Sequence, residues 1–240
     1  MMNMAHAEAI NLPPPKFTIF TEGWVPFQYE TEKGETTGMA VELLEKILKG
    51  IHSTQDRSDM HIIPWTRAVR SLEDENAIVF SMTVTDERLP KYHWVGPIYE
   101  ITNSVYILAD SRLSESDFNV GNSLTTAIVL GDVNFQYMPD LSVDTNRITG
   151  VTSDISPIKM LHRGRVDFII DNNLNFKEVA ERAKLDIKEF KKLFSIDSSA
   201  ISFALSKKTS KVHVKRMQDQ LNSIKHSSEY IELLEKYDLE

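Results

Sequence analysis

The sequence contains no cysteine. Disulfides, thiolate metal ligands and thiol nucleophiles are excluded together, as is a lipid anchor attached through cysteine. An oxidising compartment is permitted but not required. No apolar run approaches the roughly 18 residues that a membrane-spanning helix needs. Positive charge is in deficit: 27 Lys and Arg stand against 35 Asp and Glu, a net charge of -8. Phosphate recognition needs a clustered basic face, so nucleic acid is not an expected partner. Basic residues do gather at Lys207, Lys208, Lys211, Lys215 and Arg216. Acidic residues follow closely, and the run reads as a solvated helix face.

Catalytic signatures are missing as well. There is no G-x-S-x-G elbow, no P-loop and no G-x-G-x-x-G fingerprint. The seven histidines show neither H-x-H nor H-E-x-x-H spacing, and His61 and His93 merely adjoin strand-like segments. No catalytic residue, metal or cofactor is expected; Glu22 with Asp171 is a carboxylate pair of no distinctive spacing.

What is present is the balance of an ordinary globular protein, 41% apolar and 26% charged. Its 240 residues suffice for two modest cores or one large one. Near the N-terminus Ala5-His6-Ala7 has the small-x-small form of a signal-peptidase site without the preceding apolar stretch. It reads as the remnant of a trimmed signal peptide, with an alanine-rich tail as the alternative. Leu12-Pro13-Pro14-Pro15 is an extended lead-in.

Period-two and continuous apolar runs predict strands at Phe17–Phe20, His61–Ile63 and Ala77–Phe80. Helical spacing predicts helices over Met39–Ile51 and Thr66–Leu72. The pattern then restarts. Strands are expected at Ser104–Ala109, Ala127–Leu130, Arg147–Val151, Val166–Ile170 and Ala200–Leu205. Helices are expected at Ile155–Arg163, Phe176–Leu185, Ile187–Leu193, Lys211–Ile224 and Ser228–Tyr237. Alternating strands and helices argue for mostly parallel sheets with helical crossovers. Two such units predict two lobes. No Gly/Ser linker joins them; the extended patterns Trp94–Leu108 and Ile201–Leu205 cross the boundary instead, as a two-strand hinge. The expected division is a tail over 1–15, lobe 1 over 16–102 with 203–240, and lobe 2 over 103–202. Ligands of such folds sit at the carboxyl ends of the strands, in the crevice between lobes.

Four stretches carry a resemblance. They are Thr21-Glu22-Gly23-Trp24-Val25-Pro26-Phe27-Gln28-Tyr29 with Gly38-Met39-Ala40-Val41-Glu42-Leu43-Leu44; Pro64-Trp65-Thr66-Arg67-Ala68; Phe80-Ser81-Met82-Thr83-Val84-Thr85-Asp86-Glu87-Arg88 with Trp94-Val95-Gly96-Pro97-Ile98; and Met160-Leu161-His162-Arg163-Gly164-Arg165-Val166-Asp167-Phe168-Ile169-Ile170-Asp171. In order and spacing, from about Lys16 to Tyr237, they resemble the type II periplasmic solute-binding proteins of the bacterial extracellular family 3. The resemblance implies an α/β, two-lobed fold of the periplasmic-binding-protein II type. Each lobe would be a mixed, mostly parallel sheet flanked by helices.

The residues have readings of their own. Glu22, Trp24 and Phe27 lie in the loop after the first strand, where an aromatic caps a ligand or makes a cation–π contact, or simply packs the loop. Trp65 and Arg67 open a helix, and Arg67 is a carboxylate clamp or a surface ion pair. The family's matching arginine binds a ligand α-carboxylate, a role carried onto Arg88. A guanidinium suits it because its planar fork makes two parallel charge-assisted bonds. Ser81, Met82 and Thr83 would add backbone and hydroxyl bonds. From the second lobe the resemblance implies Asp132 and Asn134 after the second strand, and Asp171 or Asn172 as the partner of a ligand ammonium. Asp132 and Asn134 replace the Ser/Thr-rich turn common in amino-acid binders, which opens the reading to basic amino-acid derivatives or polyamines. Gly164 and Asp167 read as structural.

The function implied is non-catalytic binding of a small polar solute, an amino acid or related amine or carboxylate. A periplasmic monomer that is not a lipoprotein would close on its ligand and deliver it to the membrane permease of an ABC transporter. The alternatives are a ligand-sensing domain of a signalling receptor and a dehydratase-type enzyme on the same fold.

Overall fold

The computed structural model describes residues 13–119 and 123–239; the Ala5-His6-Ala7 signal lies outside them. Two compact units are present. One comprises the described residues up to Tyr99 together with those from Ala200 onward, and the other runs from Glu100 to Ser199.

In the first unit, β1 (Thr18–Thr21) pairs in parallel with β4 (Met60–Ile62) on one side and β5 (Ala77–Thr83) on the other. The end of β10 (Phe190–Leu205) adds to β5 in antiparallel fashion, from Ile201 opposite Thr83 to Leu205 opposite Ile78. Every residue of β5 is buried, which explains its continuous apolar run: an interior strand covered on both faces has no polar side to show. A short hairpin, β2 (Tyr29–Glu30) with β3 (Thr36–Thr37), precedes α1 (Met39–Gly50) and was not legible in the sequence. α1 buries Met39, Ala40, Val41, Leu43, Leu44, Ile47 and Leu48. Such a wide face fits its contacts with α5 (Lys211–Lys225) and α6 (Ser228–Lys236). α2 (Trp65–Ser71) starts directly after Pro64, which is pre-set for a helix entrance.

The C-terminal helices grip the start of β6 (His93–Leu108). The Gln218 amide accepts from Gly96 N–H at 2.8 Å and donates to Gly96 O at 2.9 Å. Lys225 Nζ donates to Pro97 O at 2.9 Å and the Tyr230 hydroxyl to Ile98 O at 2.7 Å.

In the second unit the rest of β6 pairs antiparallel with β9 (Ile169–Asn172), and β7 (Thr126–Val129) pairs in parallel with β8 (Ile148–Val151). Strand alternation sorts the apolar residues into two clusters. Val105, Ile107, Ile128, Phe168 and Ile170 join Phe118 and Tyr137 in one. Tyr106, Ala127 and Ile169 join Ile158 and Leu161 of α3 (Ile155–His162) and Phe176 and Val179 of α4 (Asn173–Ala183) in the other. There the Tyr106 and Phe176 rings stack at 3.8 Å, nearly parallel, with Phe190 edge-on to Phe176 at 5.6 Å. Gly164 takes φ 62 beyond the end of α3, where Arg165 N–H reaches back to Met160 O. Asp167 accepts from both the N–H and the hydroxyl of Thr125 at 2.7 Å.

Four expectations are corrected. Ile187–Leu193 is not a helix: a single 3₁₀ turn, Ile187–Glu189, leads straight into β10. Long-range bonding overrides the local pattern, because Ala109 N–H donates to Glu189 O and Lys191 Nζ reaches Ala109 O and Ser111 O. The last strand therefore starts at Phe190 rather than Ala200. The strand expected over Val166–Ile170 spans Ile169–Asn172 instead, its front residues being used by the turn that Asp167 closes. The helix expected from Phe176 begins at Asn173, because Asn172 caps it.

Gly38 holds φ 128, and a Cβ there would overlap the Phe27 carbonyl; Gly34, φ 77, has open space around it. Gly38→Ala should therefore cost about 3 kcal/mol or more, against about 1 kcal/mol for Gly34→Ala. Urea denaturation of both variants checks the order.

Candidate functional site

In the first unit the candidate residues come from the β1–β2 loop, the start of α2 and the end of β5. Trp24 and Gln28 exchange backbone hydrogen bonds at 2.6 and 2.8 Å, closing a tight loop around Val25, Pro26 and Phe27. Pro26 O and Phe27 O then accept from Met39 and Ala40 N–H. The first turn of α1 has N–H groups with no helical partner, and this loop supplies acceptors for them. Phe27 is fully enclosed, with Trp24 edge-on at 4.8 Å and Tyr99 at 5.4 Å. Its ring is packing that sets the pose of Trp24. Trp24 keeps part of its surface, and its indole N–H is buried without an acceptor among the described residues. Glu22, just before it, is half-buried.

Ser81 sits in β5 with φ 59, a left-handed conformation that costs a non-glycine residue energy. Its hydroxyl donates to Gln28 Oε1 at 2.6 Å, tying the Trp24 loop to the end of β5. Met82 faces away into a core cluster with Ala68 and Leu72. Thr83 O accepts from Arg88 Nη1 at 3.3 Å, and the Arg88 guanidinium stands 5.6 Å from the centre of the Trp65 ring. Trp65, Thr83 and Arg88 are thus brought together, with the cation held over an aromatic face. Arg67 is exposed on α2 and has no part in that contact.

In the second unit, Asp132 caps the 3₁₀ turn Val133–Tyr137 by accepting from Asn134 N–H at 2.9 Å. Asn134 Nδ2 donates to Ile170 O at 3.1 Å, which aims its Oδ1 the other way; that oxygen is buried with no donor among the described residues. The adjacent Asp171 carboxylate accepts from Asn172 N–H at 2.8 Å and from Asn175 Nδ2 at 2.9 and 3.0 Å. Desolvation nevertheless pushes its pKa up to about 8, and the charges of Asp132 and Asp154 push the same way. Asn172 Oδ1 is committed to capping α4, accepting Asn175 N–H at 2.9 Å.

The second unit therefore gathers an unmet carbonyl oxygen and two carboxylates, one of them costly to ionise. Such a set favours a positively charged hydrogen-bond donor, which satisfies the oxygen and restores the carboxylate's charge together. No group of three or more His, Asp or Glu among the described residues could hold a metal ion.

Sequence reasoning missed three supporting residues. Gln28 holds Ser81; Asn175 holds Asp171; Tyr137, bonded to Asn103 Nδ2 at 3.0 Å, anchors the turn that carries Asn134. Only Asn175 left a trace, as a polar residue one helical turn beyond Asp171.

Comparison with known proteins agrees with this architecture. The family model for bacterial extracellular solute-binding proteins, family 3, matches residues 18–240. A probable histidine-binding protein of Neisseria gonorrhoeae is 22% identical over 217 residues, covering 89% of this chain and 79% of that protein. The arginine-, lysine-, histidine-binding protein ArtJ of Geobacillus stearothermophilus superposes with a TM-score of 0.76 at 20% identity, over 93% of this chain and 95% of that one. A histidine kinase sensor domain with similarity to periplasmic binding proteins gives 0.81 at 11% identity, over 94% and 96%. No helix of the described residues is long and apolar enough to cross a membrane. By the span of the family match, the chain belongs to the bacterial extracellular solute-binding proteins, family 3.

Proposed function

We propose that this chain captures a small cationic amino acid, or a closely related amine carrying a carboxylate, and hands it unchanged to the membrane permease of an ABC-type importer. The observation that carries the reading is the cluster in the second unit: the unmet Asn134 Oδ1 beside Asp132 and the desolvated Asp171. In the first unit Arg88, steadied by Trp65 and Thr83 O, supplies the complementary group for a ligand carboxylate. The Trp24 indole N–H, without an acceptor among the described residues, adds a donor. The histidine- and arginine-binding relatives have ligands of this chemistry. β6 and β10, which take part in both units, act as the hinge of a population shift on binding. The chain works as a monomer in the periplasm.

A thermal-shift screen of ligand-stripped protein tests the class. Arginine, lysine or histidine at 100 times its dissociation constant adds roughly 2.7 kcal/mol. At this chain length the midpoint should rise by about 5–10 °C. Arg88→Ala should abolish the shift and Arg67→Ala should leave it. A response only to anions or neutral sugars would refute the reading.

The pH dependence has a definite sign. Asp171 is held protonated below about 8, and a ligand cation needs it ionised. Binding releases a proton, so affinity should climb with pH, approaching tenfold per unit below pH 8, and level off above it. Titration calorimetry from pH 6 to 9 measures this slope, and Asp171→Asn should flatten it while weakening binding.

A further inference from the structure

Away from these groups the first unit carries a groove of about 600 Å³ lined by α2, the segment before β6 and the segment after β10. Thr66, Arg70, Glu73, Lys91, Lys207 and Lys208 supply its polar wall, with Val69, Leu72 and Tyr92 as the apolar part. Four cations face one carboxylate, in a chain whose net charge is -8. Two of the cations are occupied: Lys91 pairs with Glu87, and Lys208 Nζ rests on the Glu73 carbonyl. Arg70 and Lys207 have no carboxylate partner among the described residues. The positive field extends to His93, whose pKa is lowered first by burial and then by the charges of Lys207 and Lys211.

We propose that this groove is a docking surface for an acidic segment of a protein partner, its carboxylates meeting Arg70 and Lys207 and its apolar side chains lying on Val69 and Tyr92. Three features select that occupant. The surface is a shallow, open concavity of about 600 Å³, wide enough for a loop to lie in. Its floor is apolar and flanked by the Tyr92–Trp94 edge-to-face pair, 6.0 Å apart, so the partner needs side chains as well as charge. A membrane of anionic lipid presents a broad plane, which a chain of net charge -8 meets with overall repulsion. The groove uses none of the residues assigned to solute capture, so the proposal stands whether or not that reading holds.

Fluorescence anisotropy with a labelled decapeptide of Glu, Asp and Leu tests it on the whole chain. A Gln/Asn/Leu analogue and vesicles of phosphatidylglycerol in phosphatidylcholine serve as comparisons. Saturable binding of the acidic peptide should weaken at least tenfold in R70Q/K207Q and several-fold between 50 and 200 mM salt, while K188Q/K192Q on the other unit leaves it intact. Amide chemical shifts of the unmodified protein supply a variant-free check: Arg70, Tyr92 and Lys207 should move with peptide. Absence of peptide binding, equal binding by R70Q/K207Q, shifts confined elsewhere, or recruitment to vesicles in place of peptide would each overturn the proposal.

Discussion

One strand, β10, does more than any other element to make this molecule. Its last residues, Ile201–Leu205, are fully buried and complete the sheet of the first unit beside β5. Its first residue, Phe190, packs against Phe176 in the second. Ser202 in its interior leaves no room for a side chain on Gly96, so β6 passes it closely. The C-terminal helices then take hold of Gly96, Pro97 and Ile98 through Gln218, Lys225 and Tyr230. Remove the pairing of β10 and those helices lose the platform on which they sit.

The groups proposed to meet solute share one physical device. Each is held by a hydrogen bond to a neighbour: Ser81 to Gln28, Arg88 to the Thr83 carbonyl, Asp171 to Asn175, and Asn134 to the Ile170 carbonyl. Preorganisation of this kind lowers the ordering cost of binding. Among the described residues an indole N–H and an amide oxygen are left without partners, a penalty that a ligand of the proposed shape would remove and a wrong one would not.

Much of this was legible in the sequence, for identifiable reasons. Ala77–Phe80 could be placed because an interior strand has one pattern on both faces. α1, α5 and α6 could be placed because their apolar residues recur at helical spacing. The hairpin at Tyr29–Glu30 was invisible because two-residue strands have no period to detect. Ile187–Leu193 misled because its composition suits a helix, whereas Ala109 and the Phe176 ring, far away in the chain, decide its backbone. The candidate residues were found as types in a loop or at a strand end. What separates Asp171 from Asn172, or Arg88 from Arg67, is side-chain contact: Asn172 is used up in capping α4, and Arg88 rather than Arg67 lies against Trp65. Spacing alone does not carry that information.

The two units differ in how the chain supplies them, and this bears on biogenesis. The second is one uninterrupted stretch, Glu100 to Ser199, while the first needs residues from both sides of it. A polypeptide emerging from its N-terminus holds every strand of the inner unit before β5 has met its antiparallel neighbour. The inner unit can therefore mature while the outer one waits, half made, with the apolar faces of α1 and β5 uncovered. From the emergence of β5 until Ile201–Leu205 and the last helices arrive, those faces lack their covers, and the whole of the second unit is made within that interval.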